Sequence, residues 1–190
     1  MRKIEVIIGS TRPKRIGRQI AEWVVSAIPA ADGLEFELVD LADWPLPNDE
    51  PGVPANHEYV HEHTKAWSRK VSAGDAYVFV TPQYNWGYPA SLKNAIDHLH
   101  KEWLGKPAAI VSYGHRGGGK AAAQLRQVLD GLHMRPVETM PAITFNNEML
   151  DEKGRLRNPE RDFANYAETV KTALGELAAQ LSNGDQSPRK

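Results

Sequence analysis

The chain has 190 residues, 41% of them hydrophobic and 25% charged, with a formal net charge of −1 and a pI of about 6.7. Those proportions describe a soluble globular domain large enough for one substantial core, and near-neutrality excludes the electrostatic footprint of a nucleic-acid binder. Cysteine is absent, which excludes disulfides, thiolate zinc sites, iron–sulfur clusters and thiol catalysis and fits a reducing compartment.

The first strand is expected over "KIEVIIGS" (3–10), a β-branched run of the buried parallel type that ends in Gly-Ser. From Ile16 the residues Ile20, Trp23, Val24 and Ala27 recur at helical spacing and stop before Pro29. "LEFELVDL" (34–41) alternates as a second strand, and residues 43–56, with four prolines, read as a long loop. A helix over 57–72 follows, with Val60, Thr64, Trp67 and Val71 as its expected buried stripe. Strand "AYVFVT" (76–81), helix 88–103, strand 106–114, helix 120–134, a short strand within 135–145 and a helix over about 161–182 complete the series. The expected unit is one domain over 1–182, with a disordered tail at 183–190. No stretch approaches the ~20 apolar residues of a membrane span, and the opening lacks a signal peptide's apolar core, so the expected location is the cytoplasm.

Five strands alternating with helices predict an α/β, doubly wound parallel sheet with three layers. Sites in such sheets lie beyond the carboxyl ends of the strands, which directs attention to the loops after Ile8, Val80 and Ser112.

"GSTRPKRIGRQ" after the first strand brings glycine, hydroxyls and arginines to a helix N-terminus. Backbone N–H groups, the helix dipole and guanidinium groups there favour a phosphate. The spacing is not G-x-G-x-x-G, so a phosphomonoester suits it better than a pyrophosphate; an ordinary loop of solvated arginines is the alternative. "TPQYNWGYPASLKNAID" offers Tyr84, Trp86 and Tyr88 as ring surfaces and Gln83 and Asn85 as amide partners, a suitable lining for a planar heteroaromatic. In "SYGHRGGGKAAA", Gly114, Gly119 and Lys120 match G-x-x-x-x-G-K, but Ala121 stands where a P-loop needs a hydroxyl for Mg²⁺. A glycine loop admitting a flat ligand is the preferred reading.

Together these loops resemble the NAD(P)H-dependent FMN reductase family of the flavodoxin-like fold, which includes azoreductases, quinone reductases and chromate reductases. The similarity runs from "VIIGSTRPKRIG" to "LDGLHM" and is most specific in "TPQYNWGYPASLKNAIDHL", which resembles P-E-Y-N-x-x-x-P-x-x-L-K-N-A-I-D with Gln83 in place of Glu. The resemblance implies strand order 2-1-3-4-5 and FMN, with NAD(P)H as electron donor. It implies that Ser10, Arg12, Arg15, Ile16 and Gly17 hold the phosphate. Pro82, Gln83, Tyr84, Asn85, Trp86 and Gly87 would line the ring and ribityl chain, with Ser112, Tyr113, Gly114, Gly117 and Gly118 on the other side. No catalytic side chain and no metal are expected, since the flavin carries the chemistry. Quinones, azo compounds, free flavin or metal oxyanions would accept the electrons, with Trp44 on the long loop a candidate for the acceptor site. A homodimer or homotetramer with Trp86, Tyr88 and Trp103 at the interface is implied, and neither nucleic acid nor a membrane is an expected partner. An FMN-binding electron carrier or redox sensor is the other class; carriers are typically strongly acidic, unlike this chain.

"HEYVH" (57–61) has the letters of a zinc protease, whose two histidines grip one metal from a single helix face. No third ligand follows at helical spacing, and His63 should fall on a different face from His61. Coincidence is the expected reading.

Overall fold

Residues apolar on both faces form the centre of a parallel sheet. The computed structural model describes residues 1–27, 33–48, 53 and 58–184. Its strands are β1 (Arg2–Ile8), β2 (Leu34–Asp40), β3 (Ala76–Pro82), β4 (Pro107–Gly114), β5 (Arg135–Pro136) and β6 (Ala142–Thr144). Every residue of β3 and β4 is buried, as strands covered on both faces require. The path is β2-β1-β3-β4-β5, with β6 also paired to β4, so the expected flavodoxin-like order holds.

The fifth strand differs from expectation by being divided. Pro107 pairs with Arg135 and Ser112 with Ala142, so two extra residues bulge out between β5 and β6. Pro136 and Pro141 lack the N–H that a continuous ladder would use.

The helices α1 (Gly17–Ser26) and α6 (Ala167–Gly184) cover one face, where Ile20, Trp23, Val24, Val170 and Leu174 meet Ile4, Val6, Val78 and Val111. On the other face α2 (Glu62–Ser72), α3 (Ala90–Asp97) and α4 (Gly119–Gly131) bring Trp67, Val71, Leu92, Ile96 and Leu125 onto Ile7, Tyr77, Phe79 and Ile110. Three layers result.

Several boundaries move. The helix expected over 88–103 ends at Asp97, and Trp103 is fully buried, 5.1 Å from the Tyr77 ring with its Nε1 donating to the Ile96 carbonyl. It is a core residue, so its proposed interface role is withdrawn. The last expected helix is split into α5 (Pro159–Asp162), a 3₁₀ turn (Ala164–Tyr166) and α6, because Phe163 turns inward to meet Trp23 edge-on at 5.4 Å. The tail from 185 onward lies outside the described residues, as does much of the 43–56 loop.

His57 of "HEYVH" also lies outside the described residues. Glu58, Tyr59 and Val60 are not helical, and His61 is the extended N-cap of α2. Residues 58–61 therefore form no helical turn. Val60 is 73% exposed, not part of the buried stripe that Thr64, Trp67 and Val71 do form. The extended backbone lets the His61 ring stack on His63 at 5.4 Å, against the expectation for a continuous helix. Among the described residues no three His, Asp or Glu side chains are grouped to hold a metal.

Candidate functional site

Parallel pairing brings Ile8 beside Asp40 and Val80, and Gly114 beside Thr144, so the strand ends lie along one edge. A cleft of about 370 Å³ opens there, within the usual range for cofactor sites. Four loops wall it: Arg12–Ile16 after β1, Pro82–Tyr84 after β3, Tyr113–His115 after β4, and Phe145, Leu150 and Gly154 after β6.

Arginines and a lysine mark one end. The Arg12 guanidinium lies over the Tyr84 ring, 3.5 Å from its centroid, while the Tyr84 hydroxyl meets Ser10 Oγ at 2.7 Å. Arg15 Nη2 donates to buried Asp40 at 2.8 Å, and Arg18 lies 3.5 Å from the same carboxylate. Arg15 is thus held by Asp40, yet its Nε is buried and has no hydrogen-bond partner among the described residues. The Tyr113 hydroxyl is also buried without a partner, and burial, with Tyr84 beside it, pushes its pKa upward. A neutral phenol there keeps its proton to donate. Two such unsatisfied donors carry a desolvation cost. Gly17, the first residue of α1, lets this phenol approach: a Cβ there would lie 2.7 Å from the Tyr113 oxygen.

The expected residues divide into three groups. Arg12, Arg15, Ile16, Pro82, Gln83, Tyr84, Tyr113 and Gly114 line the cleft, with Ser10 and Gly17 buried at its base. Asn85 and Trp86 stand off the lining, at a tight turn closed by two backbone hydrogen bonds between Tyr84 and Gly87. Both have positive φ (45° and 74°), the geometry of a type I′ turn and a strained one for tryptophan. Ser112, Gly117 and Gly118 support the β4–α4 connection rather than line the cleft.

Six lining residues were missed: Pro13, Lys14, His115, Phe145, Leu150 and Gly154. The last three follow the divided fifth strand, whose carboxyl end the strand-end rule would have indicated. Phe145 packs against His115 at 4.3 Å. Gln19 of α1 fastens this wall, donating to the Leu156 carbonyl at 3.0 Å and accepting from Leu156 N at 2.9 Å. Gln19→Leu is expected to lower stability by about 2 kcal/mol, from two lost hydrogen bonds to backbone, and to weaken ligand retention in the cleft. Chemical denaturation and ligand titration of the same variant would check both; unchanged values would show that the wall stands without Gln19.

A second cleft of about 420 Å³ lies between the 41–48 segment and α3, lined by Thr11, Trp44, Leu46, Asn48, Ser91 and Asn94 among others. It shares no lining residue with the first. Asn94 Nδ2 donates to the Leu46 carbonyl at 3.0 Å, and His98 Nε2 bonds to the Pro47 carbonyl at 3.0 Å, which hold the segment against α3. Trp44, packed 5.0 Å from Trp67, therefore walls this cleft and not the one with the orphaned donors.

Residues 2–148 match the family model described as NADPH-dependent FMN reductase. An NAD(P)H-dependent FMN reductase of Schizosaccharomyces pombe is 46% identical over 190 residues, covering 98% of this chain and 94% of that protein. A quinone reductase of Pseudomonas putida is 33% identical, covering 84% of this chain and 87% of its own. Among solved structures, a flavoenzyme NAD(P)H:(acceptor) oxidoreductase from Paracoccus denitrificans superposes with a TM-score of 0.71 at 23% identity, over 96% of this chain and 98% of that one. That likeness concerns the fold.

Proposed function

Because the chain belongs to the NADPH-dependent FMN reductase family, we propose that the first cleft is its FMN site and that quinones are its principal acceptors. The protein is an NAD(P)H-dependent flavin oxidoreductase with FMN as cofactor. When bound, FMN supplies the capacity to take hydride from a nicotinamide and pass electrons to a second substrate. Ser10, Arg12, Arg15 and the first turn of α1 at Ile16 and Gly17 would hold the phosphate. Pro82–Gly87 and Tyr113, Gly114, Gly117 and Gly118, buttressed by Ser112, would form the surroundings of the ring.

The cationic end of the cleft carries this reading: Arg12, Lys14 and Arg15 line it beside the start of α1, where guanidinium groups and the helix N-terminus favour a phosphate. Asp40 keeps the Arg15 guanidinium oriented before any ligand arrives, which limits the entropy lost on binding. Phe145 and Leu150 would exclude water from the rim. These apolar groups support a flat, uncharged acceptor, and the quinone reductase relative is in keeping with it. Azo compounds and free flavin are acceptors of the same shape.

We infer association into a homodimer or homotetramer, with Trp86, 66% exposed on its strained turn, and Tyr88 at the interface. We place the enzyme in the cytoplasm; among the described residues no helix is long and apolar enough to cross a membrane.

The test is an anaerobic FMN titration followed by NADPH, NADH and a quinone in turn. Bleaching of a protein-bound flavin band by a nicotinamide and its recovery with quinone are expected. Replacing Ser10 and Arg12 together by alanine should raise the Kd for FMN at least 10- to 100-fold, the loss of about one charge-assisted hydrogen bond. Undiminished FMN affinity in that double variant would remove the phosphate assignment.

A further inference from the structure

The N-terminus of α4 is capped from another loop. Its N-cap residue, Gly118, makes no side-chain bond and has no room for one, because a Cβ would lie 2.4 Å from Ser112 Cβ and 2.5 Å from Tyr113 N. The donors that an N-cap side chain ordinarily satisfies belong to the second and third helical residues. Here Lys120 N and Ala121 N both donate to Gln83 Oε1, at 3.0 and 3.2 Å. The phosphate-cradle match "GHRGGGK" therefore ends at an N–H group, that of Lys120, which like that of Ala121 after it is already occupied by a side chain from the loop after β3.

This capping decides which way the amide points. Two backbone donors can be accepted only by the carbonyl oxygen, so Oε1 faces α4 and Nε2 is the opposite arm. Nε2 carries two hydrogens and has no hydrogen-bond partner among the described residues. Gln83 also lines the first cleft. The helix thus fixes the amide of a cleft-lining residue and leaves its two-hydrogen donor uncommitted.

Resting on the assignment of FMN to that cleft, we propose that Gln83 divides its amide between two tasks. Its oxygen splints the β3–α3 loop to α4, and its nitrogen donates to the electron-rich edge of the bound flavin and raises its midpoint potential. A flavin gains negative charge when reduced, so a fixed donor favours the reduced form over the oxidised one. A carboxylate at the same position would retain the cap, with added attraction to the helix N-terminus, but would replace the donor by a negative charge.

Two variants separate the tasks. Gln83→Glu should leave the FMN-free protein as thermally stable as the wild type or more so. It should also weaken binding of reduced relative to oxidised FMN by about tenfold, equivalent to about 30 mV for a two-electron couple. Gln83→Met loses both arms: its FMN-free melting temperature should fall, and its potential should fall too. Melting curves of FMN-free protein and redox titrations of FMN-loaded protein read these separately from turnover. A wild-type potential in both variants would overturn the donor role, even if the Met variant melted early. An unstable Gln83→Glu protein would overturn the cap assignment. Failure of the wild type to bind FMN would instead remove the cofactor-site reading on which the proposal rests.

Discussion

Gly118→Ala is expected to destabilise the protein by about 3 kcal/mol, the upper part of the range for overpacking, and to lower its melting temperature by about 6–12 °C. The added methyl would meet Ser112 Cβ at 2.4 Å, Ser112 Oγ and Tyr113 N at 2.5 Å. Tyr113 N belongs to the backbone of β4, whose residues are all buried, and the strand cannot move aside without disturbing its pairing to β3 and β6. The helix must therefore yield. Lifting α4 pulls Lys120 N and Ala121 N away from Gln83 Oε1 and opens the connection between two walls of the cleft, so FMN retention should fall with stability.

The neighbouring glycine is the control. A Cβ at Gly119 meets nothing within 4 Å, and the residue is the first of α4. Alanine there should be neutral or stabilising by up to about 1 kcal/mol, since alanine loses less backbone entropy in a helix. Adjacent Gly→Ala changes should thus differ in sign or nearly so. Equal melting temperatures for the two variants would show that α4 does not need its close approach to β4.

That contrast illustrates what the sequence carries. The alternation of β-branched runs with 3.6-residue periodicity specifies layers and strand count, because burial on both faces imposes composition on every residue of β3 and β4. The strand-end rule reached three walls of the cleft. The fourth remained hidden because "RPVETMPAITF" reads as one weak strand, whereas pairing divides it at Pro136 and Pro141 and sends Phe145 and Leu150 to the cleft. Nor does a string of glycines distinguish Gly118, which lies against a serine, from Gly119, which faces open space. Such differences are set by contacts with residues distant in the chain. The role of Arg15 was legible only in part: its charge was visible beside the helix, but its restraint by Asp40 depends on β2 ending next to β1.

Glu5, in the middle of the buried run "KIEVIIGS", is the local inconsistency that the sequence displays most openly. It is fully buried, and neither carboxyl oxygen has a hydrogen-bond partner among the described residues. Lys70 Nζ approaches only to 3.5 Å and also pairs with Glu37, which is bonded to Lys3 as well. Burial pushes the Glu5 pKa from 4.5 up to about 7, against the opposing pull of Lys70 and Lys3. A carboxyl raised in the folded state binds its proton more tightly there than in the unfolded chain. Its effect on stability is therefore absent below pH 4.5, grows unfavourable between 4.5 and 7, and is complete above 7. The full penalty is about 3 kcal/mol at 1.36 kcal/mol per pKa unit. Glu5→Gln, which cannot ionise, should therefore be more stable than the wild type at pH 8 by up to about that amount, with the difference vanishing near pH 4. Denaturation at the two pH values reads this directly. A gain of equal size at both would assign the effect to packing rather than to the buried charge, and a loss at pH 8 would mean that Lys70 stabilises the carboxylate more than burial opposes it.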